Sequence, residues 1–488
     1  MLSLFIQKEL KNIIQSPKFT ATFVVCTVLI ITSVFIGIKE YEDSVLQYEA
    51  NKQIVQEDAR QASGWHRIRN IAHRTPSPMQ IFVSGLHFDV GRLSRISTFD
   101  EVKLTRSPYS DEPIFAIFRF IDFAFIVQIV LSLFAILFTY DAINGERESG
   151  TLKLAFANSV SRVQYLLGKF IGIWIGLVVP LLIPILIGLL MIMVFNVDLQ
   201  PEDWTRIISL IGLSILYITL FIGLGLLVSS LTRSSALSFL LLLVIWIGSV
   251  MIVPRAGVIA AGQIVPVESI AQLEAQQEAF RKARWDEWGE QSGKRWQQRS
   301  QEMEGMDEAE RQEYRDEKEW EWLEQDDADR KQVQTDITEN NRRLLEGALN
   351  KKKEQERYAF SFARLSPASS FRLAAMNLAG TDINMKNRYE ESMRSYREDF
   401  KTFVEKKQEE SGNRGGFSIS INNGKVSMDL GNREGSSIDT SELPRYESPV
   451  VTANASIGNS IFDFGMLGIF IILCFGGTFA AFLRYDMR

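Results

Sequence analysis

Residues 141–154, Asp-Ala-Ile-Asn-Gly-Glu-Arg-Glu-Ser-Gly-Thr-Leu-Lys-Leu, form a charged stretch that contains two glycines and separates two long apolar segments. Residues 114–140 precede this stretch and residues 164–195 follow it. A helix needs ~20 mostly apolar residues to cross the hydrocarbon core of a bilayer, and both segments are long enough. The polar residues between them, 141–163, are therefore predicted to form a loop at one face of the membrane. A short charged helix in this position suits docking onto a partner in water.

Apolar segments of the same kind recur along the chain and predict six membrane-spanning helices. If the protein were soluble, it would have to bury all six of these nearly charge-free helices in its core, which is not typical of soluble proteins. We therefore predict a polytopic α-helical membrane protein that contacts membrane lipid. Its six spans are expected at residues 19–38, 114–140, 164–195, 204–231, 236–253 and 460–484.

The composition of the 488 residues limits the classes of function. The chain is 46% hydrophobic and 23% charged, and these two kinds of residue occupy separate segments. A net charge of −6 gives no overall positive field, so no nucleic-acid partner is expected. Both cysteines, Cys26 and Cys474, fall within apolar segments, so no disulfide framework is expected in the polar segments.

The charges of the short connections predict the orientation of the spans. The loop 141–163 and its flank carry basic residues, whereas the connection 196–203 carries three acidic residues and no basic one. Because basic residues concentrate on the cytoplasmic side, the loop and both termini are predicted to be cytoplasmic, in a plasma (inner) membrane. Residues 39–113 and 254–459 then form two extracytoplasmic inserts.

The first 18 residues are predicted to form a cytoplasmic amphipathic helix that lies in the membrane interface. Its apolar and polar residues separate onto opposite faces, with Leu2, Ile6, Leu10 and Ile13 on one and Gln7, Lys8, Lys11 and Gln15 on the other. Ser16-Pro17 ends the helix. An alternative is that this segment only fixes the orientation of the first span through its basic residues.

Two charged residues, Arg119 and Asp122, fall near the outer end of the second span and lie three residues apart on one helical face. At this spacing the two side chains could pair with each other. Charged groups within a span need a partner or a water-filled cavity. One interpretation places them at an external gate or on a substrate route, and the alternative is a structural ion pair at the level of the headgroups.

The two inserts are predicted to be mainly helical. The first combines a helix near 40–61 with a strand at 79–83. It contains all three histidines, whose spacing fits no common metal-binding signature, so no metal site is expected. In the second, apolar residues at helical spacing predict a helical hairpin or coiled-coil arm over 264–356. A helix from Ser366-Pro367 to Gly380 follows, and then a β-hairpin around Asn422-Asn423-Gly424.

Within the loop, Glu146 to Leu152, followed by Val160-Ser161-Arg162 and Leu167-Gly168-Lys169, resemble the coupling loop of ABC-2 type exporter permeases. In that family, the loop is the part of the permease through which a separate ATPase moves the membrane helices. The resemblance implies that the loop docks in a groove of the ATPase through Glu146, Arg147, Glu148, Gly150, Thr151 and Leu152. It also implies that the N-terminal helix is similar to the family's elbow helix, which borders the ATPase.

The resemblance extends over most of the chain. Arg364 to Ala368 and Leu378 to Asp382 are similar to a subgroup of these permeases that has large extracytoplasmic inserts after the first span and before the last. It implies an assembly of two six-span subunits, identical or related, with a dimer of ATPase subunits. ATP and Mg would then be bound by the partner ATPase, and this chain would bind no cofactor directly. The similarity is sharpest at 141–169 and weak at 281–356.

None of the common catalytic motifs occurs in the sequence. The chain lacks the Gly-x-x-x-x-Gly-Lys-Ser/Thr loop that holds nucleotide phosphates, and it lacks His-Glu-x-x-His and Gly-x-Ser-x-Gly. We therefore expect a membrane subunit without enzyme activity, whose energy comes from a partner.

The leading functional hypothesis is the transmembrane permease subunit of an ATP-driven exporter. An alternative is mechanotransmission, in which the large second insert acts on an envelope protein or lipoprotein and no substrate crosses the spans. A third hypothesis is a membrane scaffold without an energy source, and the loop argues against it. The sequence leaves open the substrate, whether the permeases form a homodimer or a heterodimer, and the role of the arm 264–356.

Overall fold

The structure is a computed structural model that describes residues 2–61, 70–96, 102, 104–105, 121–157, 161–410, 418–422, 425–429 and 442–483. Six helices in the described chain are long and apolar enough to cross a membrane, which confirms the predicted polytopic α-helical fold. We call these helices spans 1 to 6. They are Pro17–Glu57, Phe123–Glu148, Arg162–Val194, Pro201–Leu231, Ser235–Ile264 and Ala453–Leu483.

The ends of three spans position the residues discussed below. Span 1 continues as one helix to Gln61 and so joins the predicted first span to the helix predicted after it. The described helix of span 2 begins at Phe123, where the Asp122 side chain accepts a hydrogen bond from a backbone N–H of the first turn. Residues 114–120, predicted to be part of this span, lie outside the described chain. Span 6 begins at Ala453, before the predicted start at 460.

Span 2 is not a regular α-helix. Its residues Ile126–Leu131 form a π-helical turn, and Ser132–Thr139 then continue as an α-helix. Within this turn the Gln128 carbonyl oxygen accepts a hydrogen bond from the Tyr217 hydroxyl of span 4 at 3.1 Å. The irregular turn therefore provides a polar connection between two otherwise apolar spans.

Span 4 lies at the centre of the bundle. Over their most apolar 18 residues, 56% of span 4 is buried, against 17% of span 5 and 17% of span 6. Because so little of span 5 is buried, its apolar surface is available to lipid or to another subunit.

Gly225 of span 4 lets span 2 approach closely, because a Cβ at this position would lie 1.8 Å from the Thr139 hydroxyl oxygen of span 2.

The N-terminal helix, Leu2–Ile14, packs along span 3. Gly168 and Gly172 of span 3 permit the contact, since a Cβ on either would lie 2.6 Å from a side-chain atom of this helix. Ile13 is buried, as the amphipathic pattern predicts, but Glu9 is buried as well. The helix therefore presents a carboxylate to the bundle.

A short helix, Pro367–Ala379, packs among the spans and is called the inserted helix. Both of its ends confirm the prediction. Ser366 accepts hydrogen bonds from two backbone N–H groups of the first turn, and Gly380 ends the helix with a φ of +69°.

The position of the inserted helix differs from the prediction, which assigns it to the second external insert. Phe371 stacks on Tyr217, near the middle of span 4, with 4.6 Å between ring centroids. Ser460 of span 6 donates a hydrogen bond to the Ala374 carbonyl oxygen at 3.3 Å. Its small residues let this helix approach both spans closely, so it belongs to the core of the bundle.

The two inserts share one hydrophobic core, and we call this structure the insert domain. Strands β1 (Asn70–His73) and β2 (Leu93–Ile96) of the first insert form an antiparallel pair. The helix Met385–Glu410 of the second insert contributes the buried residues Met393 and Phe400 to the same cluster as apolar residues of both strands. The inserts, treated separately in the sequence analysis, therefore fold together.

The strand predicted at 79–83 is wrong. Pro78–Ile81 form a 3₁₀ helix, because Pro78 has a fixed φ and no N–H to contribute to a strand. This turn packs against span 1, where a Cβ on Gly37 would lie 2.7 Å from the Ile81 carbonyl oxygen. The close approach fixes the first insert to span 1.

The predicted β-hairpin is confirmed. Strand β3 (Ser418–Asn422) pairs antiparallel with β4 (Lys425–Asp429). In this register Ile419 lies opposite Met428. Residues 423 and 424 of the predicted turn lie outside the described chain.

Residues Val253–Leu365 form a separate compact unit. Within it, Ile270–Glu302 and Glu308–Ala363 are two long helices that pack together, which confirms the predicted helical hairpin. We call this pair the arm. Arg299 illustrates its polar contacts, since it lies 3.1 Å from Asp326 and also over a tryptophan ring of the second helix. Ionic and cation–π contacts therefore supplement a small apolar interface.

The first prediction concerns His87 in the insert domain. Arg74 Nη2 lies 3.1 Å from His87 Nδ1. Burial, together with Arg74 and Arg92 nearby, holds the pKa of His87 well below its ordinary value. The unfolded chain takes up a proton at about pH 6.5 and the folded domain does not, so the domain loses stability as the pH falls below this value. Hydrogen exchange of residues 86–96 in the full chain should report more frequent opening at about pH 5.5 than at about pH 7.5.

The variant His87→Asn is the control for this effect. Asparagine keeps an acceptor near Arg74 but cannot titrate, so the pH dependence of opening should become weaker. If residues 86–96 of the wild type open equally often at both pH values, after correction for intrinsic exchange chemistry, the role of His87 would be contradicted.

Candidate functional site

The last residues of span 2 and the connection to span 3 form two short helices joined by a tight turn. Asn144–Glu148, which we call the loop helix, is followed by Thr151–Ala157. Gly150 joins them with a φ of +74°, a left-handed conformation that residues with a Cβ rarely adopt. Thr151 Oγ1 donates a hydrogen bond to the Glu146 carbonyl oxygen at 3.3 Å and closes the turn. The motif therefore forms a tight turn between two short helices, with charged residues on both sides of the turn.

A buried ammonium group holds the loop helix from inside the bundle. Lys169 of span 3 has 2% of its side chain exposed and lies 3.0 Å from Glu9 and 3.2 Å from Glu146. Glu146 also accepts hydrogen bonds from Lys8 at 2.9 Å and from the Tyr165 hydroxyl at 2.7 Å. We call these five residues the Lys169 network. Its two lysines balance its two glutamates, which offsets the cost of removing the charges from water.

Tyr165 connects this network to span 6. Its ring stacks on Phe482 with 5.4 Å between centroids. Arg162 donates a hydrogen bond at 3.3 Å to the carbonyl oxygen of Phe482, in the last turn of span 6. The N-terminal helix, the loop helix, the start of span 3 and the end of span 6 therefore meet at one end of the bundle, which we call the loop side.

The loop helix is also fixed to the turn between spans 4 and 5. Glu148 accepts hydrogen bonds from the backbone N–H and the hydroxyl of Ser235, each at 2.9 Å. A carboxylate at the start of a helix also interacts favourably with the helix dipole. Asn144 Nδ2 donates to Thr232 Oγ1 at 2.7 Å. Displacement of the loop helix would therefore act on the start of span 5.

The six residues predicted to dock onto a partner lie together in this loop but differ in exposure. Three are exposed and one is half-buried: Glu148, Gly150, Thr151 and Arg147. Leu152 is buried in the core of the bundle, and Glu146 contacts the other members of the Lys169 network. The exposed residues can meet a partner directly, whereas Glu146 and Leu152 connect the loop to the spans.

The loop motif predicts neither Glu9 nor Tyr165 as a member of the site. Lys169 is predicted only as part of the motif and of the basic flank of the loop, although a charge within an apolar run indicates a buried partner. Glu9 offers a second signal, because helical spacing places it between Ile6 and Ile13 on the apolar face of the N-terminal helix. The two signals together would have predicted the ion pair.

Asp122 is buried and belongs to a second polar cluster at the other end of the bundle, which we call the insert side. Its carboxylate lies 3.2 Å from Arg372 of the inserted helix. It also accepts hydrogen bonds from the backbone N–H and the hydroxyl of Ser84, at 3.0 and 2.8 Å. We call these three residues the Asp122 cluster. Arg119 lies outside the described residues, so its pairing with Asp122 stays a prediction.

No metal-binding arrangement of histidine, cysteine or carboxylate side chains is present among the described residues. His73 and His87 are buried in the insert domain, and His66 lies outside the described part of the chain. The two buried histidines contribute to the packing of that domain.

The second prediction is that Lys169→Met destabilises the loop side. Methionine approximates the length of the lysine side chain but leaves the buried carboxylate of Glu9 without its partner, a loss of about 3–5 kcal/mol, while Glu146 keeps its contact with Lys8. Thermal unfolding of the purified full chain should show a lower midpoint temperature. Lys153→Met changes an exposed lysine of the same loop and is the matched control, whose midpoint should not change.

Addition of Glu9→Gln to Lys169→Met removes this unpaired buried charge. The double variant should therefore recover part of the lost stability, since the two residues are in contact and their effects do not add. Equal midpoints for Lys169→Met and Lys153→Met would refute the proposed contribution of the network.

Comparison with known protein families gives one match over almost the whole chain. A family model described as ABC-2 family transporter protein matches residues 4–487. The matched range contains the loop, all six spans and both inserts. No curated protein matches the sequence.

Proposed function

This chain belongs to the ABC-2 family of transporter proteins, and we propose that it is the membrane permease subunit of an ATP-driven exporter whose ATP is hydrolysed by a separate ATPase. The loop helix is the observation that carries this proposal. It combines exposed residues with ionic and hydrogen-bonded contacts to the N-terminal helix, span 3 and the start of span 5. A partner docked on the loop would therefore act on several spans at once.

Coupling would begin at the exposed residues of the loop, which would contact the ATPase. Closure of the ATPase dimer on ATP would displace the loop helix. Because Glu146 is bound to Lys169, the N-terminal helix and span 3 would follow this displacement. The hydrogen bonds from Ser235 to Glu148 would extend it to span 5. ATP can shift the equilibrium between two arrangements of the spans only by the difference between its binding free energies for these arrangements.

The proposed assembly contains two permeases and two ATPase subunits. The second permease is another copy of this chain or a related one, and the exposed apolar surface of span 5 is available for that contact. ATP and Mg would bind to the ATPase subunits. With the ATPase in the cytoplasm, the loop side and both termini would face the cytoplasm, and the insert domain would lie outside the plasma (inner) membrane.

On the insert side, the Asp122 cluster would act as an outer lock. Asp122 connects span 2 to the inserted helix through Arg372, and Phe371 of the inserted helix contacts Tyr217 of span 4. An outward route along span 2 would require these contacts to separate. Separation would leave the buried Asp122 carboxylate without its cation, so the closed arrangement is favoured until ATP turnover supplies the energy.

The third prediction separates docking from transmission. Thr151→Trp places a bulky side chain on the exposed part of the loop and should weaken ATPase binding at least about tenfold, ~1.4 kcal/mol. Glu146→Gln keeps the exposed residues but removes the ionic contact with Lys169. The ATPase should therefore still bind to this variant, while its turnover no longer responds to the permease. Co-purification and ATP hydrolysis in proteoliposomes measure the two effects.

Asp198→Trp is the matched control, since Asp198 is exposed in the turn between spans 3 and 4 on the insert side. This variant should bind and couple to the ATPase as the wild type does. Normal ATPase binding and normal coupled turnover in Thr151→Trp would argue against docking at the loop.

Mechanotransmission is a second candidate function, and the arm favours it. Residues 302–329 contain fourteen acidic and three basic residues. Trp320 lies within this segment and is 81% exposed. A large exposed aromatic side chain in a strongly acidic segment is typical of a surface that binds a basic partner. In this mode the arm would act on an envelope protein, and no substrate would cross the spans.

The fourth prediction tests the arm by deletion of residues 288–332 and closure with a short Gly/Ser linker. The deletion retains Arg284 and Asp336, which are paired at 2.5 Å, close to the new end. Mechanotransmission predicts that ATPase coupling survives while activity in the cell is lost. Unchanged cellular activity at a normal protein level would exclude this candidate.

A further inference from the structure

Polar contacts, rather than apolar packing, attach span 5 to the bundle, since little of this span is buried. Among the described residues, Glu148 accepts hydrogen bonds from Ser235 at the start of the span, and Trp246 donates one to Ser132 of span 2 at 2.8 Å. A further contact forms at Ser249, about 21 Å along the helix from Ser235. These contacts therefore determine which elements follow a movement of span 5.

The contact at Ser249 arises from the backbone of span 5. Gly248–Ile252 form a π-helical turn, a pattern in which a carbonyl oxygen bonds the N–H group five residues later. For Ser249 the residue five positions later is Pro254, which has no N–H. The hydroxyl of Ser366 donates a hydrogen bond to the Ser249 carbonyl oxygen instead. The sequence of span 5 thus creates an acceptor that a side chain from another element occupies.

The same hydroxyl group caps the inserted helix. The Ser366 side-chain oxygen accepts hydrogen bonds from the backbone N–H groups of Ala368 and Ser369, at 3.1 and 3.4 Å. Ser366 is buried, so water does not compete for these bonds. The hydroxyl holds span 5 through its proton and the first turn of the inserted helix through its lone pairs. A displacement of Ser249 would therefore displace the start of the inserted helix.

The inserted helix continues this connection to the insert side. Arg372 lies in its second turn, 3.2 Å from the Asp122 carboxylate of span 2. Helices and hydrogen-bonded or ionic contacts thus form an unbroken series from Glu148 at the loop side to Asp122 at the insert side. Contiguous structures of this kind carry energetic coupling between distant sites when they have two discrete arrangements.

We propose that Ser366 is a positioning residue that transmits a movement of span 5 to the outer lock at Asp122. Its role in export rests on the proposed function, in which the ATPase displaces the loop helix and with it the start of span 5. The link between span 5 and the inserted helix needs no ATPase. A failure of this link can therefore be distinguished from a failure of ATPase docking, which the Thr151→Trp variant tests.

The link is measured in the purified full chain, without an ATPase, as the rate at which a maleimide labels Ala379→Cys. Ala379 is buried at the insert-side end of the inserted helix, so labelling requires this end to separate from the bundle. Cys26 and Cys474 are replaced by alanine to remove background labelling. Glu148→Ala removes both hydrogen bonds from Ser235 and should raise the labelling rate at least about fivefold, because span 5 and the inserted helix shift together.

Ser366→Gly removes the hydroxyl, while glycine remains an acceptable residue at the start of a helix. In this variant Glu148→Ala should change the labelling rate less than about twofold, as expected for distant sites that are not coupled. Ser366→Thr keeps the hydroxyl and should restore the full response. Ser369→Ala is the matched control, since the buried Ser369 hydroxyl has no hydrogen-bond partner in the described chain, and its response should equal that of the wild type.

If glycine disturbs folding, Pro254→Ala tests the same link and leaves the inserted helix and its cap unchanged. Alanine provides an N–H group that competes with Ser366 for the Ser249 carbonyl oxygen, so the response to Glu148→Ala should weaken. A full response in Ser366→Gly would overturn the proposal. An equal labelling rate with and without Glu148→Ala, when Ser366 is present, would overturn it as well.

Discussion

The loop side of the bundle depends on the buried ammonium group of Lys169. Apolar spans remain in the membrane through hydropathy alone, but the N-terminal helix and the loop helix have no comparable anchor. Lys169 binds a carboxylate from each of them, and neither Glu9 nor Glu146 could be buried without a cation nearby. Gly168 and Gly172 make this contact reachable, because they let the N-terminal helix approach span 3. One charge is therefore shared by both helices, beside the apolar packing of Ile13 and the hydrogen bonds of Glu148.

The Asp122 cluster gives the insert side a similar fixed point. Asp122 connects the first insert, span 2 and the inserted helix through Ser84 and Arg372. Between the two ends, the contacts are mainly apolar and non-directional, with few exceptions such as the hydrogen bond from Tyr217 to span 2. Directional contacts at the ends select discrete arrangements, while the apolar middle tolerates small changes of tilt. This distribution of contacts suits helices that move as units.

The spans could be predicted from the sequence because a long apolar run has few alternatives to a membrane helix. The ends of the inserted helix were equally predictable, since Ser366 caps the backbone of the first turn and Gly380 ends the helix through its own backbone conformation. Its contact with Tyr217 was not, because it joins residues that are distant in the sequence. The candidate site divides in the same way. The charged, exposed part of the loop is visible in the motif, whereas the partner of Lys169 is Glu9, 160 residues away.

The shared core of the insert domain has a consequence for biosynthesis. Strand β2 ends at Ile96, and the helix that completes its core begins at Met385. At about 5–20 residues per second, a ribosome needs roughly 15–60 s to make the intervening chain. Throughout that interval the apolar face of the first insert has no permanent cover. The nascent protein is therefore exposed to aggregation or to capture by chaperones, and slower translation between the inserts would prolong that hazard.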